Sequence, residues 1–262
     1  MAKLDNPVLL QELYVNQRMH VKDVAIFLGV GKNTVVRALA KYGILKDNRF
    51  PETFTAEQES VLYGSLLGDA NLSIQKNGTN ACLRMEQGIK QTEWLRWKFN
   101  VFQPWINSDK PSMYMNRTTA GKTCPSIKFT TVSTPLFTKH YHIFYNDNVK
   151  VVNKAILEKV DTLALAVWFQ DDGSYSYSSS NNQAHMKLAT NGFNKFEQEM
   201  IRAYFHSKWN LDTYIATDRT STNETYHIRL KSESQSRFVE IIRPFVIPSL
   251  EYKLDARAKE AH

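Results

Sequence analysis

Two aspartates close apolar stretches in this chain: Asp69 near the end of LYGSLLGDA, residues 62–70, and Asp172 near the end of LALAVWFQDDG, residues 163–173. Segments this apolar over about two helical turns seek burial, and burial penalises a carboxylate heavily unless a cation sits against it. Aligned on these aspartates, both stretches continue into a small residue, Ala70 and Gly173, so the chain reads as a duplication. Gly64, Ser65 and Gly68 give the first stretch a thin helical face, and Ala164, Ala166 and Val167 do the same for the second, with Trp168 pointing elsewhere. Packed along those faces, the two helices would set their acidic ends side by side. Mutual repulsion, desolvation and the negative end of the helix dipole all oppose charge there. Hard divalent cations, Mg²⁺ or Mn²⁺, relieve these costs through carboxylate, carbonyl and water oxygens. Such a cation can polarise a phosphate and activate a water.

Both stretches resemble the motif of the LAGLIDADG homing endonucleases. Gly64 and Asp69 hold the motif's third and eighth positions, and Asp172 and Gly173 its eighth and ninth. The blocks WFQDDGS (168–174) and PSLEYKL (248–254) are similar to those bracketing the C-terminal half in one large subgroup. Two motifs in one chain imply the monomeric, pseudo-twofold type, and the likeness spans roughly residues 55–254. It implies a site-specific endonuclease that cuts both strands of double-stranded DNA at a long asymmetric target. Each motif aspartate, with the carbonyl just before it, would hold metal: Asp69 with Gly68, Asp172 with Asp171. A lysine beside each scissile phosphate is also implied. Lys253 matches it in the final block, and Lys150 in FYNDNVK matches it in the first half, with Lys139 and Lys154 as rivals. The chain departs from the motif at Ala70, and Asp171 occupies a normally small position.

Around the motifs the hydrophobic period alternates between helix and strand. Thr55 and Gln58 form a capping box opening the first motif helix, residues 56–68. Strands at 72–75 and 81–86, a helix at 93–105 and a second hairpin at 112–116 and 126–132 around Gly121 follow. The same order returns as strands 174–177 and 184–190 around the polar turn SSSNNQ, helix 195–209, and strands 214–217 and 225–231. The fold expected is α+β: two pseudo-symmetric αββαββα halves, residues 55–160 and 161–262, forming a saddle for DNA. Arg84, Glu86, Lys128, His185, Lys187, His227, Arg229 and Lys231 fall on the polar face of the alternating strands, suited to phosphates and groove edges. An ordinary solvated sheet face gives the same alternation.

The first fifty residues carry eight basic and four acidic side chains, a net of +4 within a chain total of +7. Asn6 and Pro7 open one helix, VKDVAIFL (21–28) forms a second, and after Gly29, Val30 and Gly31 a third runs to Lys41, with Asn33 as its cap. This pattern is that of a helix-turn-helix, assigned to residues 1–46 with a linker at 47–54. Lys32, Asn33, Thr34, Arg37 and Lys41 would face DNA, and Val35, Val36, Leu39 and Ala40 would pack inward. A three-helix interaction module is the alternative.

The basic balance of 33 Lys and Arg against 26 Asp and Glu suits a polyanion. Cys82 and Cys124, far apart and without CxxC spacing, argue against a disulfide framework or cysteine zinc site and fit a reducing compartment. No run nears ~18 apolar residues and the N-terminus lacks an apolar signal region, so an intracellular, cytoplasmic protein without membrane spans is expected. Two other functions stay open: a catalytically silent DNA-binding regulator on the same scaffold, and an RNA maturase, for which nothing in the sequence speaks.

Overall fold

A computed structural model of the protein describes residues 4–44, 50–117, 121, 123–178, 183–219 and 224–255. Its internal contacts divide the chain into two compact units, residues 1–53 and 54–262. Asp47, Asn48 and Arg49 of the expected linker, Leu45 and Lys46 before it, and most of the SSSNNQ turn lie outside the described residues, as does the C-terminal end beyond Asp255.

In the first unit, α1 (Pro7–Gln11) is capped by Asn6, whose side chain accepts from the Leu9 N–H, and continues into a π-helical turn, Glu12–Asn16. Helix α2 (Val21–Leu28) ends at Gly29, which adopts φ +69°, and α3 (Lys32–Lys41) follows after two residues. Left-handed backbone at this corner suits glycine. The cap of α3 is Gly31, not Asn33: the helix starts early, on extended Gly31 backbone with no side-chain cap. Val35, Ala38 and Leu39 form the inward stripe, while Val36 and Ala40 are exposed. The helical period places 35, 38 and 39 together, which a reading by hydrophobicity missed.

The second unit repeats one pattern twice. Helix α4 (Ala56–Leu67), opened by the Thr55/Gln58 capping box, leads to β1 (Asn71–Ile74), β2 (Ala81–Gly88), α5 (Thr92–Phe102), β3 (Ser112–Arg117), β4 (Thr123–Thr130) and α6 (Pro135–Phe144). A short hairpin, β5 (Tyr145–Asn146) and β6 (Val149–Lys150), and α7 (Lys154–Glu158) precede the repeat. That repeat comprises α8 (Thr162–Asp172), β7 (Gly173–Ser178), β8 (Gln183–Leu188), α9 (Lys195–Trp209), β9 (Thr213–Arg219), β10 (Glu224–Leu230) and α10 (Ser232–Ile242). Each half holds a four-stranded antiparallel sheet, ordered β1-β2-β4-β3 and β7-β8-β10-β9. The fold is α+β, with two αββαββα halves. Helix α5 is shorter than expected, stopping at Phe102 before a 3₁₀ turn, Gln103–Trp105, that contains Pro104.

Helices α4 and α8 pack directly on each other at the centre of this unit. A Cβ on Gly64 would lie 2.3 Å from the Ala164 carbonyl oxygen and 2.8 Å from Val167 Cβ, so this contact accepts only hydrogen. Trp168 turns away into the second half's core, where it meets Phe205 edge-on. Leu62, Leu66, Leu165 and Phe169 are fully buried on the remaining faces. At ~25 cal/mol per Å² of apolar area, such all-round burial dominates the stabilisation of both helices.

Candidate active site at the motif helix ends

The C-terminal ends of α4 and α8 bring Asp69, Asp171 and Asp172 into one charged cluster. Asp69 is exposed, Asp172 half-buried and Asp171 buried. Gln87, at the end of β2, joins two of them: its Nε2 donates to Asp69 Oδ2 at 2.8 Å and to Asp171 Oδ1 at 3.2 Å. The same Asp171 oxygen accepts from Trp94 Nε1 at 2.7 Å and from Lys98 Nζ at 2.5 Å. The other, Oδ2, has no hydrogen-bond partner among the described residues and points at Gly68, whose absent side chain leaves it room. Burial pushes the Asp171 carboxyl above its ordinary range, and Lys98 opposes that shift.

Two further lysines hold the helix ends. Lys150 Nζ donates to the carbonyls of Gly68 at 3.2 Å and Ala70 at 2.8 Å. Lys253 Nζ donates to those of Gln170 at 2.6 Å and Asp171 at 2.9 Å. Lys150 is presented by the β5–β6 hairpin, whose turn residues Asp147 and Asn148 have φ of +48° and +64°, values that match a two-residue hairpin turn. Lys253 closes a 3₁₀ segment, Pro248–Lys253. The rival Lys154 is instead 3.6 Å from Glu158 on its own helix. Burial lowers the affinity of Lys150 and Lys253 for their protons, against the pull of the carboxylates. Asp172 is pushed up to about 7, first by burial and then by the charges of Asp69 and Asp171, with the two lysines opposing.

The donor set fits hard divalent cations. No group of three or more His, Cys, Asp or Glu side chains is placed to hold a metal among the described residues. Mg²⁺ needs no such group, taking one or two carboxylates and completing its shell with water and substrate oxygens. Carboxylates from both helices and carbonyls with a spare lone pair supply that chemistry.

Beyond Asp69 a groove of about 740 Å³ runs over the polar face of the first sheet, lined by Arg84, Glu86, Gln87, Asn116 and Lys128 among others. Asn116 donates to Glu86 at 2.9 Å, and the Lys128 ammonium sits 3.9 Å from the Tyr114 ring centre. On the second sheet Lys187 lies opposite Arg229 across β8 and β10, with half-buried His185 two residues before it. One expected contact, His227, is corrected, and the strand position expected for Lys231 is corrected while its side chain stays exposed. His227 is 1% exposed, accepts from Arg229 Nε at 3.0 Å and lies 3.0 Å from Asp218, so its ring is covered rather than offered to a ligand. Lys231 lies past the end of β10 as the cap of α10, 3.9 Å from Glu233, because the ladder stops at Leu230. In the first unit Lys32, Asn33, Thr34 and Arg37 are exposed on α3, and exposed Lys41 is 3.4 Å from Asp5.

Gln87, Trp94 and Lys98 were not singled out from sequence. Their signal was there: Gln87 continues the inward register of Leu83 and Met85, and Lys98 interrupts the apolar stripe of Trp94, Leu95, Phe99 and Phe102.

Acidic ends of two packed helices, flanked by two antiparallel sheets, define a duplicated nuclease-type scaffold. Comparison with known proteins agrees: the sequence profile of the LAGLIDADG DNA endonuclease family matches residues 59–238, and the chain belongs to that family. It is 28% identical to the cytochrome b mRNA maturase bI2 of Debaryomyces hansenii, over 78% of this chain and 76% of that protein. To the probable intron-encoded endonuclease 1 of Wickerhamomyces canadensis it is 25% identical, over 87% and 93%. Protein RecA of Mycolicibacterium flavescens is 26% identical over 78% of this chain, which spans 48% of that protein. The homing endonuclease I-WcaI, in its structure bound to its DNA recognition sequence, superposes with a TM-score of 0.72 at 24% identity, covering 90% of this chain and 97% of that one. No described helix is long and apolar enough to cross a membrane.

Proposed function

We propose that this protein is a divalent-metal-dependent, site-specific DNA endonuclease that hydrolyses one phosphodiester on each strand of a long asymmetric duplex target, acting as a monomer. The observation that carries this is the convergence of Asp69 and Asp172 at the packed ends of α4 and α8, with Lys150 and Lys253 bound to the carbonyls there. Three carboxylates, Asp69, Asp171 and Asp172, face three ammoniums, Lys98, Lys150 and Lys253. The protein's own charges therefore balance, and two incoming phosphates would not be compensated without added cations. Bound Mg²⁺ or Mn²⁺, held by Asp69 and Asp172 with the Gly68 and Asp171 carbonyls, would supply Lewis acidity and an activated water. Lys150 and Lys253 keep fixed positive charge beside the carboxylates, where charge develops on a phosphate under attack. Arg84 and Lys128 on one sheet, and Lys187 and Arg229 on the other, would track the duplex backbone, with Glu86 and His185 near base edges. Residues 1–46 would add a helix-turn-helix contact on flanking DNA through Lys32, Asn33, Thr34 and Arg37, with Lys41 first giving up Asp5.

Incubation with a randomised duplex library and Mg²⁺ tests this reading: cleavage of a discrete sequence is expected. Asp69→Asn and Asp172→Asn should each abolish it, and undiminished cleavage by either variant rejects the assignment. A silent regulator would bind its site and leave both strands whole. Intact aspartates at both motif positions speak against that alternative. A second role, in RNA splicing, is favoured by the likeness to a cytochrome b mRNA maturase. Splicing of a host intron with and without the purified protein tests it.

A further inference from the structure

The two helix ends are not equivalent, and their difference points to a residue outside the expected set. Lys98 is 1% exposed, in the middle of α5, a helix of the first half, yet its ammonium is spent on Asp171 of the second-half motif helix. A buried lysine carries a large desolvation cost that a carboxylate partner only offsets. Asp171 is also tied to Trp94 and to Gln87, both from the first half, and Gln87 holds Asp69 with the same amide nitrogen. The chain of contacts therefore runs Lys98, Asp171, Gln87, Asp69 and crosses the boundary between halves twice. Among the described residues the second half shows no counterpart. By strand register, with Leu72 facing Leu83 and Tyr175 facing Met186, the position matching Gln87 is Thr190. The Thr190 hydroxyl donates to Gln198 and accepts from the Ile228 N–H, so it serves the core and not Asp172.

We propose that Lys98 is a positioning residue for one of the two cuts: by neutralising Asp171 it keeps the Gln87 amide shared between Asp171 and Asp69, and so fixes Asp69 but not Asp172. This rests on the endonuclease reading. Without Lys98, an uncompensated buried carboxylate competes for Gln87 and draws it from Asp69. The strand whose hydrolysis depends on Gln87 is then slowed and the other is spared, so nicked duplex accumulates.

The test uses the full-length protein and the duplex selected by the parent, with a different 5′ label on each strand, under single-turnover conditions with Mg²⁺. Lys98→Met should slow one strand by about 10–100-fold, the range for partners that orient a metal ligand, and the other by less than about threefold. Gln87→Leu should slow the same strand. The double variant Lys98→Met/Asp171→Asn buries no unpaired charge, and its new side-chain carbonyl still accepts from Gln87, so whatever its absolute rate it should bring the ratio of the two strands' rates back to within about threefold of the parent's. A purely structural defect would slow both strands equally and gain nothing from the second substitution, and either result overturns the proposal. If Lys98→Met does not fold, the comparison passes to Gln87→Leu and the double variant: equal slowing by the first, or a persistent strand bias in the second, overturns it. The Gln87 side-chain amide resonances give a readout without DNA, shifting in Lys98→Met and returning in the double variant. Intact behaviour of those resonances in a parent protein that cuts no DNA would reject the endonuclease reading alone, and unmoved resonances would reject this one.

Discussion

The end of α4 and the end of α8 descend from the same pattern and now solve the same electrostatic problem differently. At the first, Gly68 precedes Asp69, the carboxylate stands in solvent, and Gln87 holds it from the side. At the second, Asp171 precedes a half-buried Asp172, and its side chain fills the space left by Gly68. A duplicated site can thus keep its paired carboxylates while distributing support unequally. The second end brings an extra buried charge, and the first half supplies Lys98, Trp94 and Gln87 to hold it.

The largest effect that would break this comparison is loss of either aspartate. Asp69→Asn and Asp172→Asn should each lower single-turnover cleavage by about 1,000-fold or more, since the neutral amide forfeits metal binding and charge together. Residual cutting of one strand by only one of the variants would show the two ends working independently. Next is the contact that brings the ends together. Gly64→Val places a side chain where even Cβ would sit 2.3 Å from the Ala164 carbonyl. Backbone cannot yield there without separating the helices, so thermal unfolding should register a loss of about 3 kcal/mol or more. The lysines rank third: Lys150→Met and Lys253→Met should each slow cleavage by about 10–100-fold with little change in DNA affinity. Equal binding and unequal rates would sharpen the contrast between the two ends.

Asp172 offers a test with the opposite sign for stability. Its carboxyl is raised from the ordinary 3.8 to about 7 in the folded, metal-free protein. A group raised on folding contributes stability that is complete below its unfolded pKa and lost as pH climbs through the folded one. The metal-free parent should therefore lose stability between about pH 4 and 7, and Asp172→Asn should escape that loss. At pH 7.5 in chelator the Asp172→Asn variant should be the more stable, by at most about 4 kcal/mol, read from denaturant midpoints. Saturating Mg²⁺ should narrow the gap by stabilising the parent. A variant less stable than the parent in chelator would mean that Asp172 is better compensated by Lys150 and Lys253 than its burial implies.

How much of this was legible in the sequence follows from the range of each interaction. The capping box at Thr55, the small faces of the motif helices and the alternation in β2 and β10 are local patterns, and the repeat of helices and strands could be read from them. Lys150 and Lys253 were reached through resemblance to family blocks, since nothing local says that either side chain returns to a helix end 82 residues away in sequence. The Lys98–Asp171 pair was invisible because its partners lie 73 residues apart and lysine on a helix is ordinarily solvated. His227 failed for the converse reason: alternation placed it on the polar face, but Arg229 on the same face covers it.

The smallest effect concerns the two sheets. The first carries Glu86 among Arg84, Lys128 and Asn116, whereas the second sets Lys187 directly opposite Arg229. Like charges facing across a ladder cost stability unless an anion lies near them; Asp218 is one such anion, beside His227 and within the field of Lys187, and under the proposed function phosphate would be another, so the second sheet would take mainly phosphate and the first a mixture of phosphate and base edge. Arg229→Ala should weaken DNA binding almost uniformly across target variants and reduce the slope of log K against log salt by about 1. It should also uncover His227. Glu86→Gln should leave that slope nearly unchanged while altering which bases are tolerated beneath the first sheet, as measured by binding to single-position target variants. If Glu86→Gln shifted only the slope and Arg229→Ala only the base preference, the roles of the two sheets would be the reverse of those their charges dictate.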